Sequence, residues 1–439
     1  MPVVSWRDGP SATVARMRGV WILVPGALIA AACAGGDDEG SSGADACAAT
    51  SAATATPGSP PTVPTPTITS AASVPTTPER DGAAATTSHP TRRYDFSAVD
   101  PIVQRFIDAR GLNGASLVVV DRDDGIVHEQ YWGDFDRDRI SFIASSSKMV
   151  TAGVLLHLDD GGLLDVDAPV ADAVGWGSGN PDITPAQLVS NSSGLVELLP
   201  DVGYRPYHCQ FLAVGTLQAC AERIFTTPDD DPDVVPPDSE FRYGGGQWQV
   251  AGGVAEAVSG KSWAELIDAI YIEPCGLTSF GYNNHFSQFP SEEPFAYPHE
   301  FDGELAQLEP TDNPNMEGGA YSNAVDYAGL LLMHLRDGVC GDTQVLSTEA
   351  LARMHSDRIG PAYDGTTPLG GGYGMGWWVD RTTGIISDAG AYGAVPWLDV
   401  DAGYGAVLIV ESDGGSGGAL GFELIPTIVE AMTASRAGR

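Results

Sequence analysis

The chain has 439 residues, 43% hydrophobic and 8% aromatic, which is too long for one compact core and ample for burying a sizeable one. Its 22 basic and 58 acidic side chains give a formal charge of −36, which makes nucleic acid and anionic lipid surfaces poor partners and otherwise favours solubility. None of the six cysteines and eight histidines falls in a Cys-x-x-Cys or His/Cys spacing that would hold a metal. Neither a metal nor a cofactor is therefore expected.

Residues 1–32 read as an export signal. Arg7, Arg16 and Arg18 precede an apolar run over 20–32 that Pro25 and Gly26 interrupt, and the run is too short to span a bilayer. It ends in Ala30-Ala-Ala-Cys33-Ala-Gly, which resembles a bacterial lipoprotein cleavage site with Cys33 as the lipid-bearing first residue. Ala30 stands where that motif prefers leucine, and ordinary secretion is the alternative. Residues 33–93 are Ala, Ser, Thr, Pro and Gly with almost no large apolar side chains. Such a stretch cannot bury enough surface to offset chain entropy and reads as a disordered tether. The membrane is expected as a partner through the lipid anchor alone.

The folded region is expected over 94–439. A helix over 96–109 precedes Ala115-Ser-Leu-Val-Val-Val120, a turn at 121–125 and a second β-rich run over 126–131, together a hairpin signal. A helix follows from about 148. Residues 170–345 read as a large, mostly helical insertion, with helical runs over 185–190, 212–225, 248–259, 263–271 and 324–335. Strands return over 384–388, 395–400 and 404–411, and a helix over 420–435 closes the chain. The pattern predicts an α+β fold whose antiparallel sheet is built from both chain ends and flanked by helices. Export implies an oxidising compartment. Cys209 and Cys220 share one segment, whereas Cys275 and Cys340 each sit in a turn at a helix edge, so the expected pairs are 209–220 and 275–340, with Cys47 left over. Sequence alone does not fix that connectivity.

The chain has two lysines, Lys148 and Lys261, which makes Lys148 in Ser145-Ser-Ser-Lys148 conspicuous. Three residues apart at a helix start, hydroxyl and amine share one face, with Cβ atoms about 5–6 Å apart. Ser146 and Ser147 have the wrong spacing for that role and read as packing or hydrogen-bonding neighbours. Four further segments follow in order. They are Ile183-Thr-Pro-Ala-Gln-Leu-Val-Ser-Asn-Ser-Ser-Gly-Leu195, Phe241-Arg-Tyr243-Gly-Gly245, Pro314-Asn-Met-Glu-Gly-Gly319 with Tyr373-Gly-Met-Gly-Trp377, and Ser387-Asp388-Ala389-Gly390. Together with Ser-x-x-Lys this ordered set resembles the serine hydrolase superfamily of class C β-lactamases, penicillin-binding DD-peptidases and related esterases, over roughly 95–435.

The resemblance implies that Ser145 is the nucleophile, that Lys148 and Tyr243 act as a proton-handling pair, and that the backbone N–H groups of Ser145 and Ala391 form the oxyanion hole. Gly245, Asp388 and Gly390 fall at positions that contact substrate in the family. Two of these depart from its pattern. Gly245 replaces an asparagine whose amide would contact substrate and brace the lysine. Asp388 replaces a histidine or lysine that helps hold a substrate carboxylate, so an anionic substrate is disfavoured. The expected activity is carboxylesterase-like, forming an acyl-enzyme on Ser145 and acting on a small-molecule or peptide substrate. The alternatives are a DD-carboxypeptidase or D-aminopeptidase, a β-lactamase, or a catalytically degenerate cell-envelope binding protein.

Overall fold

The structure is a computed structural model that describes residues 94–198, 204–228, 232–290 and 295–437. The expected export signal, Cys33 lipidation site, tether and Cys47 lie outside the described residues.

Helix α1 (Val99–Arg110) turns Val99, Val103, Phe106 and Ile107 inward at helical spacing and stops at Gly111, whose φ of 64° is the left-handed cap. It leads into β1 (Gly114–Asp121) and β2 (Gly125–Gly133), the expected hairpin. After β3 (Ser141–Phe142) a tight turn over Ala144–Ser147 starts α2 (Lys148–Asp160). The chain then builds α3 (Leu217–Phe225), α4 (Gly245–Ser259), β4 (Gly281–Tyr282), β5 (Ala320–Ser322) and α5 (Ala324–Leu335). A small hairpin of β6 (Val339–Cys340) and β7 (Thr343–Gln344) precedes α6 (Thr348–His355). The last strands are β8 (Gly372–Tyr373), β9 (Trp378–Val379), β10 (Ile386–Ser387), β11 (Ala394–Asp399) and β12 (Tyr404–Ile409), and α7 (Gly414–Ala437) closes the chain.

Seven strands form one sheet in the order β2-β1-β12-β11-β10-β9-β8, antiparallel throughout, so β1 from the N-terminal part pairs with β12 from the C-terminal end. This is the α+β arrangement expected from the sequence. Both faces are covered. Leu117 and Val119 of β1 pack with α1 and α7, while Val118 and Val120 join the core shared with α2, α4 and α5. Burial on both sides explains why this strand shows no apolar/polar alternation. A second sheet, β3-β5-β4, lies beside the turn that starts α2.

The expected disulfides form, Cys209 to Cys220 and Cys275 to Cys340. Several boundaries move for local reasons. Helix α3 begins at Leu217 rather than 212 because Thr216 caps it, its hydroxyl accepting the Ala219 N–H at 3.2 Å. The run over 263–271 begins as an α-helix with a Ser262/Glu265 capping box and changes to a π-type turn over Asp268–Ile272. No helix among the described residues is long and apolar enough to cross a membrane.

Candidate active site

Among the described residues of 140–156, Ser145 alone is not fully buried. Its neighbours carry the anchoring. Ser146 Oγ donates to the Asp388 carbonyl at 2.6 Å, and Ser147 Oγ donates to the Ala144 carbonyl at 2.6 Å while accepting the Ala320 N–H at 3.0 Å. Tyr327 and Tyr282 hydroxyls donate to the carbonyls of Ser146 and Ser147, at 2.9 and 2.7 Å. Ala144 itself has φ 45°, the left-handed region that a β-carbon disfavours. The turn is thus pinned from the sheet and from α5, and the nucleophile candidate is left facing out.

Lys148 opens α2 and is fully buried. Its Nζ donates to Ser145 Oγ at 3.0 Å and to the Glu317 carbonyl at 2.9 Å. The Glu317 carboxylate lies 3.6 Å away, and the Tyr243 and Trp248 rings flank the ammonium at 4.6 and 5.8 Å from their centroids. Tyr243, just before α4, sets its ring beside the Lys148 ammonium, and its phenol is electrostatically coupled to both Ser145 and Lys148. Its ring packs on Trp378 at 5.4 Å between centroids, and its carbonyl accepts the Leu198 N–H at 2.9 Å. The segment 190–195 supports this loop. Asn191 accepts from Trp248 Nε1 and Gln247 Nε2 at 3.0 and 2.8 Å, and its carbonyl accepts the Arg242 N–H at 2.8 Å. Ser145 and Lys148, from one stretch, are therefore brought together with Tyr243 from a second, distant one.

Burial alone would strip the proton from Lys148, but the Tyr243 phenol and the Glu317 and Asp388 carboxyls act against it, and the net direction is upward. Burial likewise lifts Tyr243, against the pull of the Lys148 charge. Glu317 and Asp388 are also raised, chiefly by burial.

The segment Asp388–Gly390, which follows β10, approaches the turn closely. A Cβ on Gly390 would stand 2.1 Å from the Ile143 carbonyl and 3.2 Å from Ser146 Oγ, so a bare backbone is needed there. Ala391, the next residue, is buried in one cluster with Ala144 of the turn. Asp388 does not match the expectation of a cleft-facing acid. Its carboxyl is fully buried, and Oδ2 accepts the Met149 N–H at 3.0 Å in the first turn of α2. Side chains alternate along a strand, and an unpaired helix-start N–H attracts an acid. Gly245 is the first residue of α4, and Glu317 and Gln210 fill the space before it. Glu317 was not singled out by sequence reasoning. The signal that could have found it is the lone acid of Pro314-Asn-Met-Glu-Gly-Gly319 in a chain that lacks the amide at 245.

The family described as Beta-lactamase matches residues 99–425. The chain belongs to that family. Among curated proteins it is similar to penicillin-binding protein 4 of Amycolatopsis lactamdurans, 27% identical over 329 residues that cover 69% of this chain and 81% of that protein. Among solved structures it is similar to a candidate β-lactamase of Bacteroides dorei, with 26% identity, 78% of this chain and 100% of that one covered, and a TM-score of 0.62. The fold is shared with the octameric penicillin-binding protein homologue of Pyrococcus abyssi, with 20% identity, coverage of 76% and 78%, and a TM-score of 0.59. It is shared also with EstCE1, a hydrolase with promiscuous acyltransferase activity, with 21% identity, coverage of 76% and 97%, and a TM-score of 0.59. The β-lactamase-family chain is thus of the serine hydrolase type.

Proposed function

We propose that this protein is an exported serine hydrolase that forms an acyl-enzyme on Ser145 and hydrolyses ester bonds of a neutral substrate. The observation that carries the reading is the Lys148 Nζ at 3.0 Å from the Oγ of a partly accessible serine, with the Tyr243 ring 4.6 Å from the same ammonium. A serine hydroxyl is a weak nucleophile until a neighbour takes its proton. In the first half-reaction Ser145 Oγ attacks the carbonyl carbon and its proton passes to the Lys148/Tyr243 pair in the form that has already lost one proton. The tetrahedral oxygen is received by the N–H groups of Ser145 and Ala391, donors of a kind worth about 3–4 kcal/mol each. Collapse expels the alcohol, which leaves with the proton from the pair. Water then attacks the acyl carbon, gives its proton to the same pair, and releases the acid and free Ser145.

The segment 387–390 carries no lysine, arginine or histidine to meet a substrate carboxylate. The lack of such a cation supports a neutral ester over a penicillin. The similarity to a penicillin-binding protein keeps envelope peptides as the second reading. The two disulfides fit an oxidising compartment, and Cys33 would carry the anchor.

Steady-state hydrolysis of a short-chain activated ester, a D-alanyl-D-alanine peptide and a penicillin tests the ranking. The expected result is ester turnover at least about tenfold faster in kcat/KM than either other substrate, a modest 1.4 kcal/mol. Faster peptide or penicillin turnover contradicts it.

A further inference from the structure

Residue 245 has no side chain, yet the volume before it is occupied. A Cβ built on Gly245 would lie 2.1 Å from Glu317 Oε1 and 2.1 Å from Gln210 Oε1. Glu317 comes from the turn ahead of β5, which is fixed by Asn315. The Asn315 side chain accepts the Gly318 N–H at 2.8 Å, its carbonyl accepts the Gly319 N–H at 2.9 Å, and its amide donates to the Gln210 carbonyl at 3.0 Å. This turn delivers two acceptors to one ammonium, the Glu317 carbonyl at 2.9 Å from Lys148 Nζ and its carboxylate Oε2 at 3.6 Å. Both side chains are nearly sealed from solvent, Lys148 at 0% and Glu317 at 5% exposure. Glu317 Oε1 has no hydrogen-bond partner among the described residues. Lys148 is therefore the group that orients this carboxyl, and the carboxyl in turn restrains Lys148. A buried charge without such a partner is strongly disfavoured.

We infer that Glu317 is a positioning residue for the Ser145–Lys148 pair, its carboxylate standing in the space that a side chain at 245 would fill and keeping the lysine amine on the serine hydroxyl. The inference rests on the acyl-enzyme reading of Ser145. The titratable and polar side chains around the ammonium are Ser145 with a hydrogen bond, Tyr243 with its ring at 4.6 Å, Glu317 with its ion pair, and Asp388, whose carboxyl is turned to Met149. Glu317 is the one whose place depends on the bare backbone at 245. The ion pair also predicts a signature that packing alone would not give. Neutralising Glu317 lowers the affinity of Lys148 for its proton, so the rising alkaline limb of the activity profile moves to lower pH.

The test measures kcat/KM on an activated ester against pH for the full chain and for E317Q, E317A, G245N and G245N/E317A, with thermal midpoints for each. E317A is expected to lose about 100-fold, the scale of a misplaced catalytic group. E317Q should keep its midpoint and shift the alkaline limb down by about one pH unit. G245N should lose activity because its Cβ meets the carboxyl, and G245N/E317A should recover at least about tenfold over E317A by restoring an amide beside the lysine. An unshifted limb in E317Q, or no recovery in the double variant, overturns the inference. Wild-type turnover by S145A would instead overturn the reading of Ser145, which separates the two failures.

Discussion

Ala144 holds its left-handed φ of 45° because bonds on either side leave it no alternative, and single residues in such regions typically store about 1–3 kcal/mol. The strain sits one residue before the accessible Ser145, where it sets the direction of the hydroxyl. A second residue-scale feature is His285. It is buried, stacked on Phe142 at 4.2 Å between ring centroids, and its Nε2 meets the Tyr392 hydroxyl at 2.9 Å. Burial pushes its pKa down to about 3. A histidine that stays neutral when folded and protonates when unfolded costs stability as pH falls below its ordinary value of about 6.5. The difference in unfolding free energy between wild type and H285F should therefore shift by about 2 kcal/mol against wild type from pH 7 to pH 5. A pH-independent difference in urea titrations would show that His285 is not held neutral. At this scale Ser145 and Lys148 stood out in the sequence by their one-turn spacing at a helix start, and Tyr243 through the resemblance of its segment. Asp388 was misplaced because a motif gives a position and not which face of a short strand the side chain takes. Glu317 was missed because its meaning depends on a missing side chain 72 positions earlier in the sequence.

The elements that read well from sequence are those with long apolar patterns, α5 and the β1 and β12 runs. The two-residue strands β3, β4, β8 and β9 carry no pattern of their own and are defined by pairing. Helices α4 and α7 both start earlier than propensity suggests, in Gly245-Gly246 and in Gly414-Gly415-Ser416-Gly417. Glycine is a poor helix former, but α7 is capped by Asp413, whose carboxylate accepts the Ser416 N–H at 2.9 Å, and a Cβ on Gly417 would stand 2.5 Å from Gly393. Tertiary contact overrides propensity in this segment. The disulfides also act between elements. Cys275–Cys340 closes 65 residues and ties the end of the 263–275 helical stretch to the β6–β7 hairpin, whereas Cys209–Cys220 closes 11 next to α3. Chain-entropy arguments give about 4 and about 3 kcal/mol. C275S/C340S should therefore lower the denaturation midpoint more than C209S/C220S when measured side by side, and the reverse order would mean that strain or residual structure outweighs loop length.

Across the described residues, one double-faced antiparallel sheet made from distant segments of the chain holds a helical region on one side and α1 with α7 on the other, and the candidate site forms where the first turn of α2 meets the segment Asp388–Gly390 that follows β10. The sheet's composition from distant segments is why the site residues are spread from 145 to 391. The order of the five segments made this architecture readable, while the depth of burial around Lys148 needed the packed structure. Membership of the Beta-lactamase family and the contact of Lys148 with Ser145 support the proposal of acyl transfer through Ser145. The most direct measurement is intact-protein and peptide mass spectrometry after exposure of wild type and S145A to a fluorophosphonate. The account predicts a single adduct on the peptide containing Ser145 in wild type and none in S145A. Labelling of a different residue, or undiminished labelling of S145A, would contradict it.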